Sequence, residues 1–122
     1  EDITSKRIEN AHRYDQAFGE LADKITIPER RDGAQSVFHL YMMQVEDRDD
    51  LHRHLLEKGI SAKVHYPIPL FLQEGLAHLG YKKGDFPVSE RQAERIISLP
   101  VDQHLGGELQ DRVIEEVLAY YR

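Results

Sequence analysis

Apolar residues recur along this chain with two periods, and the switches between them lay out its elements. From about residue 4 to 22, Ile8, Ala11, Asp15, Phe18 and Leu21 fall three or four apart with Tyr14 beside them, and the opposite face is charged; this spacing predicts an amphipathic helix. Lys24-Ile25-Thr26-Ile27 is rich in β-branched residues and stops at Pro28, which reads as a short strand, and the polar run from Glu29 to Ser36 reads as a loop. From 37 to 45 both parities are apolar or aromatic: Val37, His39, Tyr41, Met43 and Val45 on one side, Phe38, Leu40 and Met42 on the other. That pattern predicts a central strand covered on both faces.

Asp47 or Asp49 can cap a helix that carries Leu51, Leu55 and Leu56 and stops at Gly59, a residue suited to the left-handed position after a helix. Ile60, Ala62 and Val64 then alternate with Ser61, Lys63 and His65, a strand with one apolar face that sends His65 to the side opposite Val64. It runs into Pro67 and Pro69, which hold Tyr66 and Ile68 out of the helical region and turn the end of the strand into a stiff arm. Leu72, Leu76 and Leu79 return to helical spacing up to Gly80, and residues 81 to 85 form a turn. Pro87 starts a further helix with Ala93, Ile96 and Ile97 as its stripe, followed by a short extended piece at Ser98-Leu99-Pro100. Gly106-Gly107 opens the last helix, with Leu109, Val113, Ile114, Val117, Leu118 and Tyr121 on its apolar face. Three or four short strands among five helical segments, without a repeat, give an α+β fold: a small, largely antiparallel sheet covered by helices.

A chain of 122 residues fits one domain, 1–122, and can bury a core without staples. Its net charge of −6, with both signs interspersed, argues against a nucleic-acid surface or an acidic membrane as partner. It has no cysteine, hence no disulfide framework, and nothing in it resembles a signal peptide or a membrane-spanning run, so a cytoplasmic location is expected. The opening Glu1-Asp2, without methionine and already in a helical pattern, suggests a piece of something longer.

The chemistry concentrates at the root of the arm, where His65 and Tyr66 can donate, accept or transfer protons. A His-Tyr pair at a strand end is more often a hydrogen-bonded structural feature than a catalytic one. His52 and His54 sit two apart on a helix and point away from each other, so no metal site is expected there. Glycine-rich phosphate loops, nucleophile elbows and paired catalytic carboxylates are missing, and the residues by themselves make no complete active site.

Phe38-His39-Leu40-Tyr41, the run from Gly59 to Leu70, Leu79-Gly80-Tyr81, Gly84-Asp85-Phe86-Pro87-Val88-Ser89-Glu90 and Ile97-Ser98-Leu99-Pro100 fall in the order seen in the DegT/StrS family. End to end, the chain resembles that family's small C-terminal domain. The resemblance implies a pyridoxal-phosphate-dependent, fold-type-I aminotransferase that moves an amino group, usually from glutamate, to a ketone carbon of a nucleotide-linked deoxysugar. The Schiff-base lysine belongs to the family's large N-terminal domain, and no lysine here, Lys63 included, sits in that motif. The resemblance therefore assigns no catalytic residue to this chain, expects no cofactor bound to it alone, and makes its partners a large domain and a second subunit of a homodimer.

His65 and Tyr66 match the motif whose side chains approach cofactor and sugar, which implies a substrate-binding role; His39 and Tyr41 match a strand that spacing assigns to core packing. Phe71 departs from the histidine many relatives carry, removing a donor and acceptor from the arm. The Tyr-Pro-Ile-Pro-Leu and Gly-Asp-Phe-Pro wording leans toward relatives that aminate a 3-keto sugar. The alternative is a non-catalytic α+β module that binds a ligand or regulates a partner. Under the aminotransferase reading, apolar surface that faces another domain is expected at Ile8, Phe18 and Leu21 of the first helix and at Ile68, Leu70 and Phe71 of the arm.

Overall fold

In the computed structural model, which describes residues 2 to 122, one strand bonds to both of the others. The elements run α1 (Asp2–Phe18), β1 (Ile25–Thr26), β2 (Tyr41–Val45), α2 (Arg48–Glu57), α3 (Pro87–Arg95), β3 (Ile96–Leu99) and α4 (Gly107–Tyr121), with 3₁₀ turns at Gly19–Leu21, Leu70–Leu72 and Glu74–Leu79. The sheet is antiparallel in the order β1-β2-β3, with Ile25 opposite Val45, Met43 opposite Ile97 and Tyr41 opposite Leu99. These six residues share a face, and all are buried under Ala11, Tyr14 and Phe18 of α1, Leu51 and Leu55 of α2, and Val113 and Val117 of α4. The expected α+β architecture stands, with three strands.

The middle strand differs from its expected form in two respects. It starts at Tyr41 rather than Val37, because Phe38 takes a left-handed φ of 46° that no extended strand tolerates. The Phe38 ring is buried, with His12 edge-on to it and the Arg30 guanidinium 4.9 Å from its centre, while Val37 stays exposed. In addition, only one face of β2 is buried in the core: on the other face Met42 is 37% exposed and Gln44 is half-buried. The loop before it is held down by Arg30, which makes two hydrogen bonds to the Asp15 carboxylate, and Asp15 accepts a third from the Tyr41 hydroxyl at 2.9 Å.

α3 is also shorter than its apolar spacing predicts. Ile96 is extended, and Ile96 and Ile97 belong to β3, where they pair with β2. Arg48, 7% exposed, donates to the carbonyls of Ala93 and Ile96 at 2.9 Å each, so the end of the helix finds its hydrogen bonds in a side chain from α2. Asp47 occupies the N-cap of α2 with a left-handed φ of 50°, and its side chain makes no capping bond.

α1 meets α4 through apolar burial and through polar ties at its ends. Tyr14 stacks on Phe18 and donates to the carbonyl of Pro100 at 2.8 Å, and buried Gln110 donates to the carbonyl of Asn10 at 2.7 Å. Burying a large apolar side chain stabilises by roughly 1.5–3 kcal/mol, whereas an exposed ion pair such as Arg13–Asp111 adds about 0–1, so Ala11, Tyr14 and Phe18 carry the docking. The first-helix stripe is therefore not a free surface: Phe18 is fully buried and Ile8 and Leu21 pack against the core, contrary to the expectation of an uncovered face. Among the described residues no helix is long and apolar enough to cross a membrane.

Burial pushes the phenols of Tyr14, Tyr41 and Tyr121 well above the usual tyrosine range, and Asp15 adds to the effect at Tyr41. In the unfolded chain these groups ionise near pH ~10, so the stability they confer is complete below that pH and is lost above it. Each can contribute a slope of up to ~1.4 kcal/mol per pH unit. The denaturant midpoint should hold between about pH 8 and 10 and then fall steeply, and Tyr41→Phe should make that fall shallower while costing about 1.5–3 kcal/mol at neutral pH. A midpoint that stays level to about pH 11 would refute this account.

Candidate functional site at the arm

The route to the site starts at the end of α2. Gly59, with φ 75°, donates to the carbonyl of Leu56, and Ile60 donates to that of Leu55, both at 2.9 Å; this paired closure ends the helix and turns the chain toward the sheet. Ile60 and Ala62 are buried while Ser61 and Lys63 are exposed, the expected alternation. The expected strand over 60 to 65 nevertheless contracts to a single antiparallel bridge between Lys63 and Ser98, closed by one N–H in each direction at 3.0 and 2.8 Å. Beyond it lie Pro67 and Pro69, which have no N–H to continue a ladder, and the chain leaves the sheet.

His65 follows the bridge directly. Its Nδ1 lies 3.0 Å from the hydroxyl oxygen of Ser98, which is 3% exposed, and its ring meets the Tyr66 ring edge-on with centroids 5.4 Å apart. The peptide between them is cis. Tyr66 itself is 71% exposed. His65 lines two shallow hollows. One, of about 200 Å³, is shared with Tyr66, Pro69, Leu70, Ser89 and Gln92; the other, of about 180 Å³, is shared with Arg7, His39, Lys63, Ser98 and Asp102. Arg7 is fixed there by the carbonyls of Phe38 and His39 at 3.1 Å each. His39 is exposed at the edge of this hollow and not packed in the core as its spacing suggested, whereas Tyr41 is fully buried. The break at Phe38 accounts for the difference, since it removes His39 from the strand's alternation.

The remainder of the arm forms an aromatic cluster. Phe71 and Tyr81 both contact Phe86, with centroids at 4.8 and 5.2 Å, and together with Leu70, Leu76 and Leu79 they line an apolar hollow of about 310 Å³. The Asp85 and Glu90 carboxylates accept from the backbone of Lys82 and Gly84 and close the turn behind it. Ile68 is 51% and Leu70 75% exposed, so the expected uncovered surface exists at these two residues, while Phe71 is half-buried against Phe86. Larger clefts, near the start of α2 and along α1, contain neither His65 nor Tyr66. His52 and His54 find separate partners, the carbonyl of Ala62 and the Glu116 carboxylate, both at 3.1 Å.

Ser98 is the site residue that the sequence did not single out. Its signal was one polar residue between Ile97 and Leu99 in an apolar strand, and only the bridge to Lys63 shows what it faces. A cofactor such as pyridoxal phosphate needs a lysine for attachment, donors for its phosphate and an acid for its ring nitrogen. Around His65 the described residues offer hydrogen-bonding side chains and an aromatic ring, while Lys63 is exposed and has no carboxylate partner among them. They fit one wall of such a pocket.

The model of the DegT/DnrJ/EryC1/StrS aminotransferase family matches residues 1–118. The chain is 38% identical over 120 residues to a pleiotropic regulatory protein of Geobacillus stearothermophilus, covering 98% of this chain and 32% of that protein. It is 39% identical over 110 residues to dTDP-3-amino-3,4,6-trideoxy-alpha-D-glucose transaminase of Micromonospora megalomicea, covering 88% of this chain and 29% of the relative. The crystal structure of DesV from S. venezuelae superposes with a TM-score of 0.92 at 30% identity, over 97% of this chain and 32% of that one. The chain thus spans about a third of the length of the relatives it matches.

Phe86 joins the arm to α3 through two ring contacts, each worth about 0.5–1.5 kcal/mol. Phe86→Ala should speed amide exchange over residues 70 to 86 by roughly 5- to 100-fold and leave the exchange of α4 unchanged. Equal acceleration in both would show that the arm and the core open as one unit.

Proposed function

The chain belongs to the DegT/DnrJ/EryC1/StrS aminotransferase family, and we propose that its residues 1–122 form the small C-terminal domain of an enzyme that aminates a nucleotide-linked keto-deoxysugar. Pyridoxal phosphate, when bound in the full-length enzyme, supplies the electron sink that lets an amine and a ketone exchange nitrogen. The observation that carries the reading is the family match along nearly the whole chain, combined with an exposed arm that holds His65 and Tyr66 beside uncovered apolar side chains. A 3-keto carbon as acceptor is supported by the name of the Micromonospora megalomicea relative, a transaminase of a 3-amino sugar. Glutamate is proposed as the donor on the family resemblance.

Each part of the arm has its own task in this proposal. The Tyr66 hydroxyl, standing free at the mouth, donates to or accepts from a sugar oxygen, and His65, held by Ser98, presents its second nitrogen beside it. Ile68, Leu70 and the hollow under Phe86 cover apolar surface of the large domain or of the second subunit and exclude water from the mouth. The name of the Geobacillus stearothermophilus relative, a pleiotropic regulatory protein, favours a second reading, a regulatory module, and transamination by the full-length protein separates the two.

Two measurements follow. In the full-length enzyme, His65→Gln and Tyr66→Phe should lower kcat more than they raise KM, by about 10²–10⁴-fold if the groups transfer protons. Folded, cofactor-loaded variants with near-normal turnover would return both residues to a structural role. The 122-residue chain on its own should neither transaminate nor hold the cofactor covalently, since Lys63 is exposed and lacks the desolvated surroundings that activate an amine. A stoichiometric visible band on the purified chain would contradict this.

A further inference from the structure

Ser98 is nearly sealed from solvent, yet its hydroxyl points at the imidazole of His65 at the root of the arm. We propose that Ser98 is a positioning residue that fixes the tautomer of His65, leaving the neutral ring's proton on Nε2, so that His65 meets its ligand as a hydrogen-bond donor.

The argument is one of accounting. Ser98 is 3% exposed, and its backbone N–H and C=O are both taken by Lys63. The hydroxyl has one partner among the described residues, Nδ1 of His65 at 3.0 Å. A hydroxyl can donate one proton, and a neutral imidazole has one nitrogen that donates and one that accepts. If Nδ1 carried the proton, it would donate to the Ser98 oxygen, and the serine's own proton would be left without an acceptor among the described residues at a side chain only 3% exposed, a state that folded proteins avoid. If Nδ1 is the acceptor, both groups are satisfied and the ring proton sits on Nε2. Nε2 has no protein partner among the described residues, and His65 lines both hollows, so this N–H is left for a ligand that enters them. What accepts it is an oxygen: a sugar hydroxyl or carbonyl, or a phosphate oxygen in the hollow that Arg7 and Lys63 also line. The tautomer follows from the geometry alone; the sugar as acceptor rests on the aminotransferase reading.

The test uses the full-length protein labelled with ¹⁵N at histidine, with the His65 signals identified by their loss in His65→Gln. Two-bond proton–nitrogen correlations on the neutral ring should show an unprotonated Nδ1 and a protonated Nε2. The reverse pattern overturns the proposal. Ser98→Ala should move both nitrogens toward the averaged shifts of a freely exchanging imidazole and lower kcat/KM by roughly two- to tenfold, the range that one neutral hydrogen bond supports. Ser98→Thr, which keeps the hydroxyl, should restore both. A folded Ser98→Ala protein with an unchanged His65 spectrum would show that something other than Ser98 sets the ring. Because the spectrum is read without turnover, a protein that proved not to transaminate would sink the aminotransferase reading and leave the tautomer assignment standing.

Discussion

Two backbone hydrogen bonds between Lys63 and Ser98 hold the root of the proline arm to the core. On one side of the bridge the chain is tied to the helix end at Gly59 and to the buried Ile60 and Ala62; on the other it carries His65, Tyr66 and the proline arm. A full fourth strand would have kept the chain in the sheet and buried these side chains beside β3. A single bridge anchors the arm and then releases it, and the same serine that closes the bridge aligns the imidazole. Position and orientation at the site therefore share one residue.

What makes that anchor firm is the packing behind it. β3 is held against β2, and the buried face of both strands is filled by α1, α2 and α4. The aromatic centre of that packing is Tyr14, stacked on Phe18 and tilted against Tyr41 at 4.8 Å, with its hydroxyl on the Pro100 carbonyl just past β3. Arg48 performs a similar service at the opposite end of the strand by binding the carbonyls where α3 gives way to β3. Ser98 thus lies in a strand clamped at both ends, so that a small polar contact can be specific without being strong.

The distribution of apolar surface separates the part of the chain that is complete from the part that is not. The first-helix stripe closes on the chain's own core, while Ile68, Leu70 and Leu79 remain in solvent beside a partly formed aromatic hollow. An exposed cluster of this kind marks an interaction surface. It adjoins His65 and Tyr66, so a partner that covered it would lie against both residues.

The sequence by itself determined the elements whose signals are local. The 3.6-residue period of α1 and α4, the glycine after α2, proline at the first position of α3 and the alternation of Ile60 and Ala62 are read within a few residues, because capping and periodicity are short-range constraints. His65 and Tyr66 were legible in the same way, as polar groups placed at a proline arm. Tertiary structure decided what depends on pairing at a distance. Ile96 and Ile97 fit a helical stripe equally well, and β2 draws them into a strand. His39 fits a buried strand, and the left-handed turn at Phe38, stabilised by a ring buried against α1, puts it outside. The partnership of His65 with Ser98, thirty-three residues apart, has no local signal at all, since it exists only after β3 has found β2 and the arm has found β3.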